Sequence, residues 1–199
     1  WLRADSNVVL SGDTVVSWND CSGNSNNAVQ PSFYRRPIIT NSIIQLNSFP
    51  GIKFDGNDDY LQFSDVSNIR SVFVILKHST GSGYYAPLLG HTVNFDFAGG
   101  NGLSLFSTYT SSYVLSGSVF ENSILSSPLL LEKPTEYTLY SIVTSGNTRA
   151  NNIGSDRLLN SMYWPGIYIE ILLYDVQLND SSRLVVETYL MDKYAPPVN

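Results

Sequence analysis

Short apolar runs separated by clusters of Gly, Asn, Asp and Ser recur through most of the chain. Runs of this length bounded by such clusters read as β-strands. Residues 15–18 form the first clear one, and 51–54 and 60–63 follow. Asp55-Gly56-Asn57-Asp58 lies between these two. Gly and Asn tolerate positive φ, so the pattern predicts a hairpin there. Residues 71–77 (SVFVILK) are apolar on both faces, which places this strand centrally, covered on each side. Leu88-Leu89, 93–97 and 103–108 continue the pattern, with Asn101-Gly102 turning between the last two. Residues 137–144 and 167–174 are the longest strands. On the latter, Ile167, Ile169, Ile171 and Leu173 share one face, and Tyr168 and Glu170 share the other, expected to be partly wet.

The segment 178–194 breaks this period. Asn179 suits an N-cap, Asp180 complements the helix dipole, and Val186, Tyr189, Leu190 and Tyr194 recur at three- and four-residue spacings. This predicts one amphipathic C-terminal α-helix, closed before the prolines that follow Ala195, with its apolar face against the strands. Many short strands and one helix predict an all-β fold: a two-sheet antiparallel jelly-roll sandwich with the helix packed on it. No internal repeat is visible. Residues 1–194 read as one domain, 195–199 as the start of a linker or tail, and the Ser-rich 111–127 as a long surface excursion.

Composition narrows the function classes. The length of 199 residues suits one β domain. Charged residues are 14%, against a usual value of about 25%, so Ser and Asn must supply the polar surface, as in SGNSNN (22–27) and STYTSSY (107–113). The net charge is −6 and no basic stripe exists, which argues against nucleic acid and anionic membrane as partners. Cys21 is alone, so no internal disulfide forms. With one Cys and two separated histidines, His78 and His91, a zinc site is not expected. No apolar run approaches the roughly 18 residues of a membrane-spanning helix, so membrane insertion is not expected either. No signal peptide is visible, and the first and last residues read as those of a domain with neighbours in a larger chain, or of a mature secreted one.

Three motifs then point to a family. Trp18-Asn19-Asp20-Cys21-Ser22-Gly23-Asn24 with Asn27-Ala28 comes first. Pro50-Gly51-Ile52-Lys53-Phe54-Asp55-Gly56 with Asp58-Asp59-Tyr60-Leu61 follows. Glu170-Ile171-Leu172-Leu173-Tyr174-Asp175 with Leu178, Arg183, Val186-Glu187, Tyr189-Leu190 and Lys193-Tyr194 closes the series. Their order and content resemble bacterial or viral laminin-G-like domains of the concanavalin A-like jelly-roll kind. The resemblance implies two antiparallel sheets with a concave face and a binding or adhesion role toward a glycan or surface protein. It also implies an extracellular, cell-surface or virion-surface location, with calcium at the rim in some members.

Several residues are candidates for such a site. Sugar binders use exposed rings as flat platforms, and Tyr84, Tyr85, Tyr109, Tyr113, Tyr163 and Trp164 lie in or beside loops. Asp96 and Asn101 are candidate hydrogen-bonding partners for hydroxyls. The competing reading is that a sandwich buries its aromatics and leaves the Tyr hydroxyl wet. Trp1 and Trp18 read as core or near-core. Asp55, Asn57, Asp58 and Asp59 form the densest oxygen cluster, a candidate calcium site, although without EF-hand spacing; ordinary turn chemistry is the alternative. Asp20 with Asn24 and Asn26 is a weaker group of the same type. No cofactor is required.

Signs of catalysis are missing: no Glu-x-Asp-x-Glu strand and no Gly-x-Ser-x-Gly elbow occur, and Gly99-Gly100-Asn101-Gly102 lacks the following Lys-Ser/Thr of a phosphate loop. The expectation is a non-catalytic module recognising carbohydrate. The alternative is a structural display or decoration domain of a virion or surface appendage, with no small-molecule ligand.

Overall fold

The computed structural model describes residues 1–81 and 85–196. Strands dominate: β1 (Leu2–Arg3), β2 (Val8–Ser11), β3 (Thr14–Trp18), β4 (Ala28–Val29), β5 (Ile38–Ile43), β6 (Phe49–Asp55) and β7 (Leu61–His78) precede the single-turn helix α1 (Ser112–Leu115). Then come β8 (Ser118–Glu121), β9 (Ile124–Ser126), β10 (Thr138–Ile153), β11 (Pro165–Tyr174) and the long helix α2 (Asp180–Tyr194). The expected mostly antiparallel all-β fold with one long C-terminal helix is therefore present. No helix among the described residues is long and apolar enough to cross a membrane.

The central strand is where its sequence puts it. β7 pairs with β10 along one edge and β11 along the other, and residues 71–76 are all buried. All strands join one hydrogen-bonded sheet, whose path from β11 through β6, β5, β3 and β4 to β7 returns to β11. This folded-over sheet encloses the main core, including Trp18, Phe54, Val74, Tyr140 and Tyr168. A second core, with Phe73, Ile75, Leu139, Ile169, Leu190 and Tyr194, lies under α2.

Four expectations need correction. First, β6 and β7 do not form a hairpin. β11 lies between them, with Gly166 opposite Phe54 on one edge and His78 on the other, so the Asp55–Asp59 turn opens a crossover. Second, Leu88-Leu89, 93–97 and 103–108 are irregular, tied by an isolated bridge from Gly90 to Asn152 of β10 and another from Ser104 to Glu132, which precedes β10. Their apolar pattern reflects core burial: Leu88, Leu89, Phe97, Leu105 and Phe106 are all buried. The ammonium of Lys133 donates to the carbonyls of Gly100, Gly102 and Ser104 at 2.8–2.9 Å, so this backbone is satisfied without a strand partner. Third, the Ser-rich 111–127 stretch contains α1 and the β8–β9 hairpin, turned by Asn122 and Ser123 at φ 47° and 68°.

The fourth correction concerns β11. Its register against β7 shifts between Tyr168 and Glu170, a β-bulge that reverses the alternation of faces. Ile169 and Leu172 therefore join the core under α2, whereas Tyr168 and Ile171 join the main core. Glu170, expected to be partly wet, is fully buried. Its carboxylate accepts hydrogen bonds from Trp1 Nε1 (2.6 Å), Lys193 Nζ (2.9 Å) and the Tyr194 hydroxyl (2.5 Å).

The N-cap forms as expected, with Asn179 Oδ1 accepting from Ser182 N at 2.9 Å, and the helix ends before the prolines with Ala195 in a left-handed conformation. The docked face differs from a purely apolar one. Its buried residues are Arg183, Glu187, Leu190 and Tyr194, whereas Tyr189 remains 37% exposed. Arg183 Nη1 donates to both carboxylate oxygens of Glu187 at 2.6 Å, and the guanidinium lies 3.7 Å from the Phe120 ring centroid.

Candidate functional site

The irregular loop after β7 and the loop between β10 and β11 meet in a concavity of about 290 Å³. Tyr85, Phe95, Tyr109, Asp156, Arg157 and Met162 line it, with Ser107 and the backbone at Ala98-Gly99. The Phe95 and Tyr109 rings are 6.5 Å apart and tilted by 36°, and Tyr109 is 72% exposed. The Arg157 guanidinium stacks 3.6 Å above the Phe95 centroid. That arrangement joins a cation to an aromatic face. Asp156 is buried below, 3.8 Å from Arg157 Nε, and burial pushes its carboxyl above the usual carboxylate range. The pocket thus offers two ring faces, a guanidinium edge, a hydroxyl and a carboxyl.

Local sequence fixes these walls. Thr110 Oγ1 and Ser107 N both donate to the Ala98 carbonyl, at 2.8 and 3.1 Å, closing the loop that carries Tyr109. Gly99 packs so tightly on the Ala86 carbonyl that a β-carbon would overlap it. Tyr85 and Met162 sit at φ 42° and 57°, a left-handed region that L-residues enter at a cost of about 1 kcal/mol or more.

The sugar candidates divide on this geometry. Tyr85 and Tyr109 line the pocket; Tyr84 lies outside the described residues. Asp96 is spent on structure: its Oδ2 accepts from Arg149 N at 2.6 Å. Asn101 Oδ1 accepts from Gly102 N in an exposed turn. Tyr113, on α1, packs on Gly146, and the Tyr163 hydroxyl donates to the Leu159 carbonyl at 2.9 Å; neither is in the pocket wall. Trp164 is fully buried with its ring edge-on to His78 at 4.9 Å, so it is a core residue and not a platform. Trp18 is fully buried and Trp1 is 36% exposed. The sequence reading missed Phe95, Asp156, Arg157 and Met162 as site residues. The one available signal was the adjacent charged pair Asp156-Arg157 in an otherwise uncharged stretch from Ala150 to Trp164.

Asp55, Asp58 and Asp59 each place one carboxylate oxygen within 4.8 Å of the others, which offers three of the roughly six to eight oxygen ligands that calcium takes. The same groups also build the turn. Asp55 Oδ1 accepts from Asn57 N (2.8 Å) and Asp58 N (3.3 Å), Asn57 Nδ2 donates to Asp55 Oδ2 (3.0 Å), and Asp59 Oδ2 accepts from Asp55 N (2.9 Å). Burial, aided by the charges of Asp55 and Asp58, pushes the Asp59 carboxyl up to about 6. Burial also acts upward on Asp55, but the hydrogen bonds from Asn57, Asp58 and Asp59 outweigh it and hold that carboxyl below its ordinary value.

Neither histidine faces the pocket. His91 Nδ1 accepts from the backbone N–H groups of Val93 (3.1 Å) and Asn94 (2.9 Å), which leaves Nε2 to donate to Asp65 Oδ1 at 3.2 Å. Burial, then the charge of Lys133, pushes His78 down to about 4.

Comparison with protein-family models, curated proteins and solved structures found no match to this chain.

Proposed function

We propose that this chain is a non-catalytic binding module that takes carbohydrate in the aromatic pocket. The observation that supports this most directly is the convergence of Tyr85, Phe95, Tyr109 and Arg157 on one concavity of about 290 Å³. Sugar rings carry C–H faces that stack on aromatic rings, and hydroxyls that need nearby donors and acceptors. Ser107, Asp156 and Arg157 supply those groups beside the rings. The laminin-G-like class that the sequence motifs resemble consists mostly of binding or adhesion modules, many of them for carbohydrate, and the resemblance implies an extracellular, cell-surface or virion-surface location. Under that reading the folded-over sheet is a jelly roll. Calcium at Asp55, Asp58 and Asp59 belongs to the same proposal as an accessory ion away from the sugar.

The test is a glycan array, with and without calcium, followed by calorimetry on the best ligand. Tyr109→Ala should weaken binding at least tenfold, about 1.4 kcal/mol, with little change in melting temperature. An empty array under both conditions rejects the proposal.

The display-domain reading draws on a different observation. The edge hairpin exposes Ile124 (66%) and Leu125 (65%), and Leu130 (82%) follows in the next turn. An uncovered edge strand of this kind is a site for association. Ordered contacts of β9 with an appendage or capsid in a particle reconstruction would favour that role.

A further inference from the structure

A second opening lies away from the aromatic pocket, at a gap in the sheet. β11 leaves the β7 edge where Tyr174 pairs with Ser71, and β4 joins it only where Val29 pairs with Gln62. Between them, no described strand covers residues 63–70 on that edge. A cleft of about 390 Å³ enters the main core through this gap. Its floor is apolar: half-buried Phe63, Val66 and Leu173 lie over the core residues Leu89, Ile153 and Ile171. Its rim is polar: Ser22, Asn24, Asn26, Asn68, Tyr174 and Asp175 stand there, beside Trp1, whose terminal ammonium is paired with Asp20 at 2.9 Å. The side-chain amides of Asn24, Asn26 and Asn68 make no hydrogen bond among the described residues, whereas the backbone N–H groups of Asn24 and Asn26 donate to Ser22 Oγ and Asp20 Oδ2.

We infer that this cleft binds an uncharged amphiphile of the alkyl glycoside type, chain inward and hydroxylated head on the asparagine rim. The volume lies within the usual range of small-molecule sites, about 300–1,000 Å³. Apolar walls gain from an aliphatic chain in proportion to the area removed from water. Amides both donate and accept, so they match hydroxyl groups. Fatty acids and anionic lipids are disfavoured, because Asp175 stands on the rim, the Trp1 ammonium is already paired with Asp20, and the chain carries a net charge of −6. This site shares no lining residue with the aromatic pocket, so the two readings stand or fall separately.

Octyl β-glucoside, below its critical micelle concentration, is the probe, against methyl β-glucoside and octanoate. Trp1 reports occupancy by fluorescence, because Trp18 and Trp164 are fully buried. The expected result is a blue shift with octyl glucoside and at least tenfold tighter binding than with either control. Val66→Phe should abolish that binding by filling the slot, and Tyr109→Ala should leave it unchanged. Equal affinity for the methyl and octyl glucosides, equal affinity for octanoate, or binding only to micelles would overturn the inference. If Val66→Phe does not fold, methyl resonances of the unmodified chain decide. Shifts at Val66, Leu89 and Leu173 support the cleft, and shifts at the exposed Ile124, Leu125 and Leu130 instead defeat it.

Discussion

The docking of α2 through a buried ion pair leads to a sharp prediction. The Arg183 and Glu187 side chains are 7% and 1% exposed, joined by two 2.6 Å hydrogen bonds. Replacing Glu187 with Leu removes the partner while Arg183 stays buried against Phe120. Breaking a buried pair on one side typically costs about 3–5 kcal/mol, because the remaining charge has no compensation. Asp180, 87% exposed and 3.5 Å from Arg183 Nη2, recovers little of this in high dielectric. The expected loss for Glu187→Leu is therefore about 3 kcal/mol or more. Arg183→Met combined with Glu187→Leu removes both charges and keeps apolar volume, so it should return to within about 1–2 kcal/mol of the parent. Urea unfolding followed by circular dichroism measures both, through the midpoint at unchanged slope. If the double variant is as unstable as Glu187→Leu, or if Glu187→Leu costs under about 1 kcal/mol, the pair is not the anchor described.

Three further outcomes follow from the geometry. The Asp59 carboxyl, raised to about 6 from an unfolded value near 3.9, binds its proton more tightly when folded. Folding stability should therefore fall as pH rises from about 4 through 6, by up to roughly 3 kcal/mol, and Asp59→Asn should flatten that slope in a pH series of unfolding midpoints. Lys133→Met strands the Gly100, Gly102 and Ser104 carbonyls and should cost about 2–4 kcal/mol, with faster amide exchange around residues 100–106; unchanged exchange there would mean the ammonium does not hold the loop. Gly99→Ala, which must displace the Ala86 carbonyl, should lower the melting temperature and reduce binding at the aromatic pocket together; wild-type values of both would show that this wall yields.

Much was legible where a local rule and the tertiary environment agree. The double-sided apolar run 71–77 gave the central strand, and Asn179 gave the start of the helix, because burial on two faces and end-capping are properties of the segments themselves. The pairing of strands was not legible. The Asp55-Gly56-Asn57-Asp58 turn is strong locally, yet β11, more than a hundred residues later, occupies the edge that a hairpin would have used. Periodicity failed at Glu170 for a similar reason: one bulge reverses every face after it, and the bulge exists only against β7.

The candidate site repeats this division. Abundant loop aromatics were readable, but not which rings would meet. Tyr109 and Trp164 looked alike as loop residues, and only packing made one 72% exposed and the other fully buried. Phe95 and Arg157 lie sixty-two positions apart in the chain and stack because two loops close on the same end of the sheet. By itself, then, the sequence determined the β-rich class, the central strand and the capped terminal helix, all of which follow from short-range pattern and burial. Strand order, the buried Glu170 and Arg183–Glu187 contacts and both concavities were decided by tertiary structure, because each depends on surfaces brought together from distant segments.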